Sequence, residues 1–273
     1  MKNKTILFTT VLFCLMVSTP LLGQDYRIFT KVSDISQSRE KPNTLGRSLS
    51  LFHAGKVYDY IDSTGEVTVF EPAKNRFIIL DTKREIFTVA DLGEIKHHLK
   101  VARKVINEHI QTLSNQTKEN SKDKQDTEKV IQNLTFQLNP QFQIDDSSNA
   151  LTLQGTGIRY SATGAKNNSK ELVNAFFEYT DWIARLNYVL HPRAVSPESR
   201  LILNEQLRTR QLMPISVELK TDNLYLRAEH QIHWSLNARD RRMIHRWTTL
   251  LKSNSTKKVT LRAYQRIVVA GKN

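Results

Sequence analysis

Short runs of alternating apolar and polar residues dominate the sequence between Tyr26 and Ala90. Turn-forming pairs such as Ala54-Gly55 and Pro72-Ala73 separate them, and this pattern predicts β-strands joined by tight turns. One strand in about ten residues is typical of an antiparallel sheet. Six strands are predicted: Tyr26–Val32, Ser48–His53, Lys56–Ile61, Glu66–Glu71, Arg76–Asp81 and Glu85–Ala90.

A helical pattern follows the sixth strand. Its apolar residues recur mostly at steps of three and four, which predicts a helix that lies on the apolar face of the sheet and ends near Leu113: Leu92, Ile95, Leu99, Ala102, Ile106 and Leu113. The next segment, Ser114–Thr127, contains no apolar residue. It is predicted to be a mobile polar loop inside the fold, with a linker between two domains as the alternative.

The second half of the chain mixes strands and helices, which indicates an α+β fold. Helices are predicted at Ser169–Leu190, Pro197–Arg210 and Ala238–Leu251 from the 3.6-residue period. Strands are predicted at Gln141–Ile144, Ala150–Gln154, Ile158–Ala162, Ile215–Lys220, Leu224–Trp234 and, at the end, Lys258–Val269.

The N-terminus has the pattern of a secretory signal peptide. Lys2 and Lys4 precede the apolar run Ile6–Val17, and the small and helix-breaking residues of Ser18–Gly23 follow. A retained membrane anchor is the alternative, although about 12 apolar residues fall short of the ~20 that span a bilayer. We therefore expect cleavage near Gly23 and export of residues 24–273, as a single domain, to the periplasm or cell envelope.

Composition limits the chemistry of the exported protein. The only cysteine, Cys14, lies in the predicted signal, so thiol catalysis, thiolate metal sites and disulfides are excluded from the mature chain. The formal net charge of the whole chain is +13, and it is +11 without the two lysines of the predicted signal. For an exported protein this favours anionic lipid headgroups or envelope polymers over nucleic acid as partners; the alternative is a basic surface that only maintains solubility.

Motifs of enzymes are absent from the sequence. The segment Gly46-Arg47-Ser48-Leu49-Ser50 lacks the second glycine of a nucleophile elbow. Gly155-Thr156-Gly157 falls between two predicted strands, which favours a hairpin turn over a phosphate-binding loop. His97 and His98 are adjacent on one helix and cannot share a metal, because helical ligands need a spacing such as i, i+4. We predict no catalytic residue, no metal site and no cofactor.

The predicted helix Ala238–Leu251 has one apolar and one basic face. Cations in its first turn oppose the helix dipole, so an anionic ligand or Asp240 must offset them. The basic residues are the candidate anion-binding site, with an ordinary solvated face as the alternative: Arg239, Arg241, Arg242, His245 and Arg246.

Two stretches resemble an uncharacterised family of exported proteins from planctomycete bacteria: Phe52-His53-Ala54-Gly55-Lys56-Val57-Tyr58-Asp59-Tyr60 continuing to Phe70-Glu71-Pro72, and Tyr179-Thr180-Asp181-Trp182-Ile183-Ala184-Arg185-Leu186-Asn187. That family implies export but no known activity. The order of hairpins, helix, and further strands and helices also resembles the lipoprotein-carrier fold of periplasmic lipid and lipoprotein chaperones. This resemblance implies a strongly curved antiparallel sheet, an unclosed barrel, with helices packed on its concave face and an apolar hollow that binds acyl chains.

Two functions are compatible with these expectations. The first is a non-enzymatic exported binding protein that shelters an apolar ligand, a lipid or lipoprotein acyl chain, with basic residues near the opening. The alternative is a structural or interaction protein of the cell envelope with a filled core and a basic surface that adheres to anionic polymer. An enzyme that uses dispersed carboxylates is the third possibility. An apolar hollow of at least ~300 Å³ favours the first.

Overall fold

The computed structural model describes residues 25–119, 124–147, 149–191 and 195–270. Within these ranges, twelve strands form one unclosed sheet with six helices, which confirms the predicted α+β class with an unclosed antiparallel sheet. The predicted signal segment, residues 1–23, lies outside the described residues.

The strands are β1 (Tyr26–Asp34), β2 (Asn43–His53), β3 (Lys56–Ile61), β4 (Glu66–Glu71), β5 (Arg76–Asp81), β6 (Ile86–Asp91), β7 (Gln143–Ser147), β8 (Ala150–Gly155), β9 (Ile158–Lys166), β10 (Leu212–Thr221), β11 (Tyr225–His233) and β12 (Lys257–Lys258). The helices are α1 (Leu92–Glu119), α2 (Lys124–Leu138), α3 (Lys170–Leu190), α4 (Pro197–Thr209), α5 (Ala238–Lys252) and α6 (Leu261–Ala270).

Strand β1 joins the two halves of the sheet. The spatial order is β12-β6-β5-β4-β3-β2-β1-β11-β10-β9-β8-β7. Strands β2 to β6, with β12 at the edge, lie on one side of β1, and β11 to β7 lie on the other. Neighbouring strands are antiparallel, except that β12 runs parallel to β6. As the sequence indicated, Thr156 and Gly157 form the turn of the β8–β9 hairpin, where Gly157 has a φ of +67°.

Two predicted segments differ in the structure. Helix α1 continues to Glu119 and α2 begins at Lys124, so most of the polar segment at 114–127 is helical rather than a loop. That segment contains neither proline nor glycine, so little opposes helix continuation, and α1 packs against α2. Its mobility stays a prediction.

The predicted last strand, residues 258–269, is also wrong. Only Lys257 and Lys258 pair with β6, and α6 follows. The hydroxyl oxygen of Thr260 accepts a hydrogen bond from the backbone N–H of Ala263 at 3.2 Å and starts the helix. Leu261 and Tyr264, three positions apart, are buried on the same helical face.

The sheet carries helices on both faces. Residues of α3 and α4 pack on one face, which we call the inner face, and α6 adds Leu261 and Tyr264 to the same core. Helix α5 packs on the opposite, outer face of the β2–β5 hairpins through Ile244 and Trp247. Because side chains alternate along a strand, these hairpins are apolar on both faces. The expectation that the predicted helices share one face therefore holds for α1, α3 and α4, and α5 is the exception.

Candidate ligand-binding site

A cavity of about 420 Å³ opens at one end of the inner face, between the start of α3 and the β2–β3 turn. We call it the apolar slot. Its apolar lining residues are Tyr26, Phe52, Val57, Phe70, Pro72, Leu172 and Ala175. All of these except Pro72 and Ala175 are buried. The slot is therefore a preformed apolar recess at the margin of the core, of the size that small ligands occupy.

The register of four strands builds the floor of the slot. Tyr26 pairs with Phe52, Phe52 with Val57, and Val57 with Phe70, so four apolar side chains form one transverse row. The β2–β3 turn fixes this register, because Ala54 and Gly55 have φ angles of +50° and +71°. Two consecutive positive φ angles are the geometry of a tight two-residue hairpin turn.

Ring contacts hold the row in place. Tyr26 and Phe52 stack with their centroids 4.0 Å apart and an interplanar angle of 11°. Tyr179 of α3 contacts Phe52 edge-on at 5.9 Å and Phe70 at 6.2 Å. Tyr179 is hydrogen-bonded to Asp59, whose carboxylate also accepts a hydrogen bond from Ser50 at 2.6 Å. Burial raises the pKa of Asp59 against these hydrogen bonds. These contacts fix the positions of Tyr26, Phe52 and Phe70 in the floor.

The rim of the slot carries both signs of charge. Its charged and titratable residues are His53, Lys56, Glu171 and Glu178. Lys56 lies 2.6 Å from Glu71, and His53 lies 2.9 Å from Asp25. Burial alone would raise the pKa of Glu71, but hydrogen bonds and charges from Lys56 and Arg76 outweigh it and lower this pKa to about 2. The charge of Lys56 is therefore largely neutralised.

The five predicted anion-binding residues lie on α5, and none of them lines the slot. Arg239, Arg242, His245 and Arg246 are exposed, and none of the four forms an ion pair within the described part of the chain. Arg241 differs, because its guanidinium lies 3.0 Å from Asp25. Asp25 also lies 2.9 Å from His53 of the slot rim, so Arg241 reaches the rim through this carboxylate.

The first turn of α5 contains a carboxylate, Asp240, that offsets the unfavourable arginine charges there. Asn237 accepts a hydrogen bond from the backbone N–H of Asp240, and the Asp240 carboxylate accepts one from the backbone N–H of Asn237, which completes a capping box. Asp240 also supplies a negative charge at the positive end of the helix dipole. The arginines do not need a ligand for the helix to form.

A second cavity, of about 480 Å³, lies beside α5 on the outer face. We call it the arginine groove, after the three arginines that line it: Arg27, Arg47 and Arg239. Only Arg239 was among the predicted site residues. Arg27 and Arg47 were missed, although their positions in alternating strands indicated a common face with Phe29 and Leu49.

Within the described residues, no group of three His, Cys, Asp or Glu side chains is arranged to hold a metal ion. Among the helices of the described residues, none is long and apolar enough to cross a membrane. No protein-family model matches the chain, and no curated protein matches it significantly.

Proposed function

We propose that this chain is an exported, non-enzymatic binding protein that holds an apolar ligand, such as the acyl chain of a lipid or lipoprotein, in the apolar slot. One observation carries the proposal: an open recess of about 420 Å³ whose floor is a transverse row of four apolar side chains. Its volume lies in the range of roughly 300 to 1,000 Å³ that is usual for ligand pockets.

The packing of the inner face sets the size of the ligand. Buried side chains of α3 and α4 fill most of the space above the sheet, among them Phe177, Leu186, Leu203 and Leu207. A long barrel-like hollow is therefore absent from this part of the face. The slot suits one chain end or one ring system, inserted from the side of the β2–β3 turn.

The rim restricts the polar part of the ligand. Glu171 and Glu178 are exposed beside the opening, whereas Lys56 and His53 are engaged with Glu71 and Asp25. Carboxylates at an opening repel anions. A neutral or zwitterionic head suits this rim better than a strongly anionic one.

A slot-filling substitution tests the proposal. Ala175 lines the slot but is exposed, so Ala175→Trp blocks the recess without removing core contacts. We expect it to weaken binding of the neutral probe N-phenyl-1-naphthylamine by about tenfold or more, because the probe and the indole compete for one volume. Asn174→Trp, the matched control on the neighbouring exposed position, should bind like the parent.

Equal binding by parent and Ala175→Trp would refute the assignment. Native mass spectrometry of protein purified from its own cells identifies the natural ligand, as a lipid mass that is retained by the parent and lost in Ala175→Trp.

One observation favours the alternative, a cell-envelope interaction protein that adheres to anionic polymer or a membrane surface. Arg239, Arg242 and Arg246 follow each other at steps of three and four on α5, and no carboxylate within the described ranges pairs with them. Such a stripe of exposed cations attracts anionic surfaces. This function is compatible with ligand binding in the slot, since the two features lie on opposite faces of the sheet.

A further inference from the structure

The arginine groove has an apolar floor of its own. Phe29 pairs with Leu49, and Leu49 pairs with Tyr60, which makes a second transverse row across β1, β2 and β3. These three residues line the groove together with Met243 of α5. Leu49, Tyr60 and Met243 are partly buried against the outer core. The groove therefore offers apolar surface that solvent still reaches.

The lining of the groove carries three arginines against two carboxylates. Arg27 is neutralised, because Asp240 lies 3.1 Å from its guanidinium. Arg47 and Arg239 are exposed, and neither has a carboxylate partner among the residues that the structure describes. Besides Asp240, the lining contains one further acidic residue, Asp62. The two free guanidinium groups thus come from β2 and α5 and face one cavity.

Guanidinium groups bind phosphate through paired N–H donors, and an apolar floor adds binding energy for a hydrocarbon or aromatic group. We propose that the arginine groove is a binding site for a phosphate group carried on an apolar chain or ring. Arg47 and Arg239 bind the phosphate, and the row Phe29, Leu49 and Tyr60 contacts the apolar part. The site is independent of the apolar slot, because the sheet separates them.

Monododecyl phosphate, used below its micelle concentration, is the probe for this site. Titration calorimetry should show binding to the parent, and the double variant Arg47→Gln/Arg239→Gln should bind about tenfold or more weakly, as expected for losing charge-assisted hydrogen bonds. Lys252→Gln is the control, since it removes one exposed positive charge from the same helix outside the groove. It should change the Kd less than twofold.

Further measurements distinguish a lipid phosphate from free phosphate, and the arginine groove from the apolar slot. Inorganic phosphate should bind much more weakly than the amphiphile, and phosphatidylglycerol vesicles should lose affinity with the same double variant. Ala175→Trp should bind monododecyl phosphate like the parent, so failure of the slot assignment does not affect this test. Three results would overturn the proposal: unchanged binding by the double variant, equal loss in Lys252→Gln, or inorganic phosphate binding as tightly as the amphiphile. Circular dichroism checks that each variant is folded.

Discussion

Asp240 of α5 accepts two hydrogen bonds from Nη1 of Arg27 on β1, at 3.2 and 3.1 Å. The carboxylate is almost fully buried, and its side chain is 2% exposed against 26% for Arg27. The same carboxylate completes the capping box of α5. One side chain therefore both starts the helix and attaches it to the central strand of the sheet, which explains why α5 lies on the outer face.

Asp240→Ala removes the cap and leaves Arg27 without its partner. We expect the free energy of unfolding to fall by about 3 to 5 kcal/mol, the usual effect of breaking a largely buried ion pair. Chemical denaturation measures this change. Arg239→Ala alters the neighbouring exposed position and should change the stability by less than about 0.5 kcal/mol. Equal effects of the two substitutions would contradict the role given to Asp240.

Trp247 anchors α5 to the hairpins. It is 4% exposed, and its ring lies 5.6 Å from that of Tyr60 and 6.3 Å from that of Tyr58. Trp247→Ala should cost about 3 to 5 kcal/mol, as for other large aromatic side chains in cores. Trp234→Ala is the control, because Trp234 is 48% exposed. A smaller loss for Trp247→Ala than for Trp234→Ala would mean that α5 is not packed as described.

Replacing Arg239, Arg242 and Arg246 together by glutamine tests the alternative envelope function. Exposed charges contribute at most about 1 kcal/mol each to stability, so the melting temperature should stay nearly constant. Binding to anionic liposomes or acidic polysaccharide should weaken, and added salt should weaken the parent in parallel, because ions screen charges beyond ~8 Å at physiological ionic strength. Sedimentation with liposomes measures the first effect. Undiminished binding would place the anionic contact elsewhere.

His230 should make the fold sensitive to acid. Burial, and secondarily the charge of Arg200, lowers the pKa of His230 from 6.5 to about 4. Its Nδ1 is hydrogen-bonded to Thr30 at 2.9 Å, and its buried Nε2 has no partner within the described residues.

The unfolded chain binds the imidazole proton first, near pH 6.5, and the native state binds it only near pH 4. The contribution of His230 is therefore fully present above pH 6.5 and is lost as the pH falls to about 4, by on the order of 3 kcal/mol. Urea denaturation of the parent and His230→Gln at several pH values measures it. The variant should lose less stability across this interval; parallel curves for the two proteins would contradict the prediction.

Local pattern determined the hairpins from β2 to β6. In the structure β3, β4 and β5 have the predicted bounds, Lys56–Ile61, Glu66–Glu71 and Arg76–Asp81. Alternation and turn residues act within a few residues of each other, so they can be read without knowing the fold. The same holds for α3 and α5, whose apolar stripes and N-terminal residues are local signals.

Prediction from the local sequence pattern failed where tertiary packing determined the secondary structure. The β-branched side chains within the segment 258–269 favour a strand when tertiary contacts are ignored. The structure instead buries Leu261 and Tyr264 against the inner core, which only a helical spacing allows. In residues 114–127, the absence of apolar residues indicated that nothing is buried, but a helix that packs against a neighbour can continue with polar residues.

The amino-acid sequence by itself determined which side chains share a face of each strand, and therefore that Phe52 accompanies Ser50 and that Arg47 accompanies Leu49. Only the tertiary structure decided which strands are neighbours. The pairing of β1 with both β2 and β11 aligns Tyr26 with Phe52 in the slot and brings Arg27, Arg47 and Arg239 to one groove. These contacts join distant parts of the chain, and their free energy comes from burial shared by the whole sheet, so no local pattern encodes them.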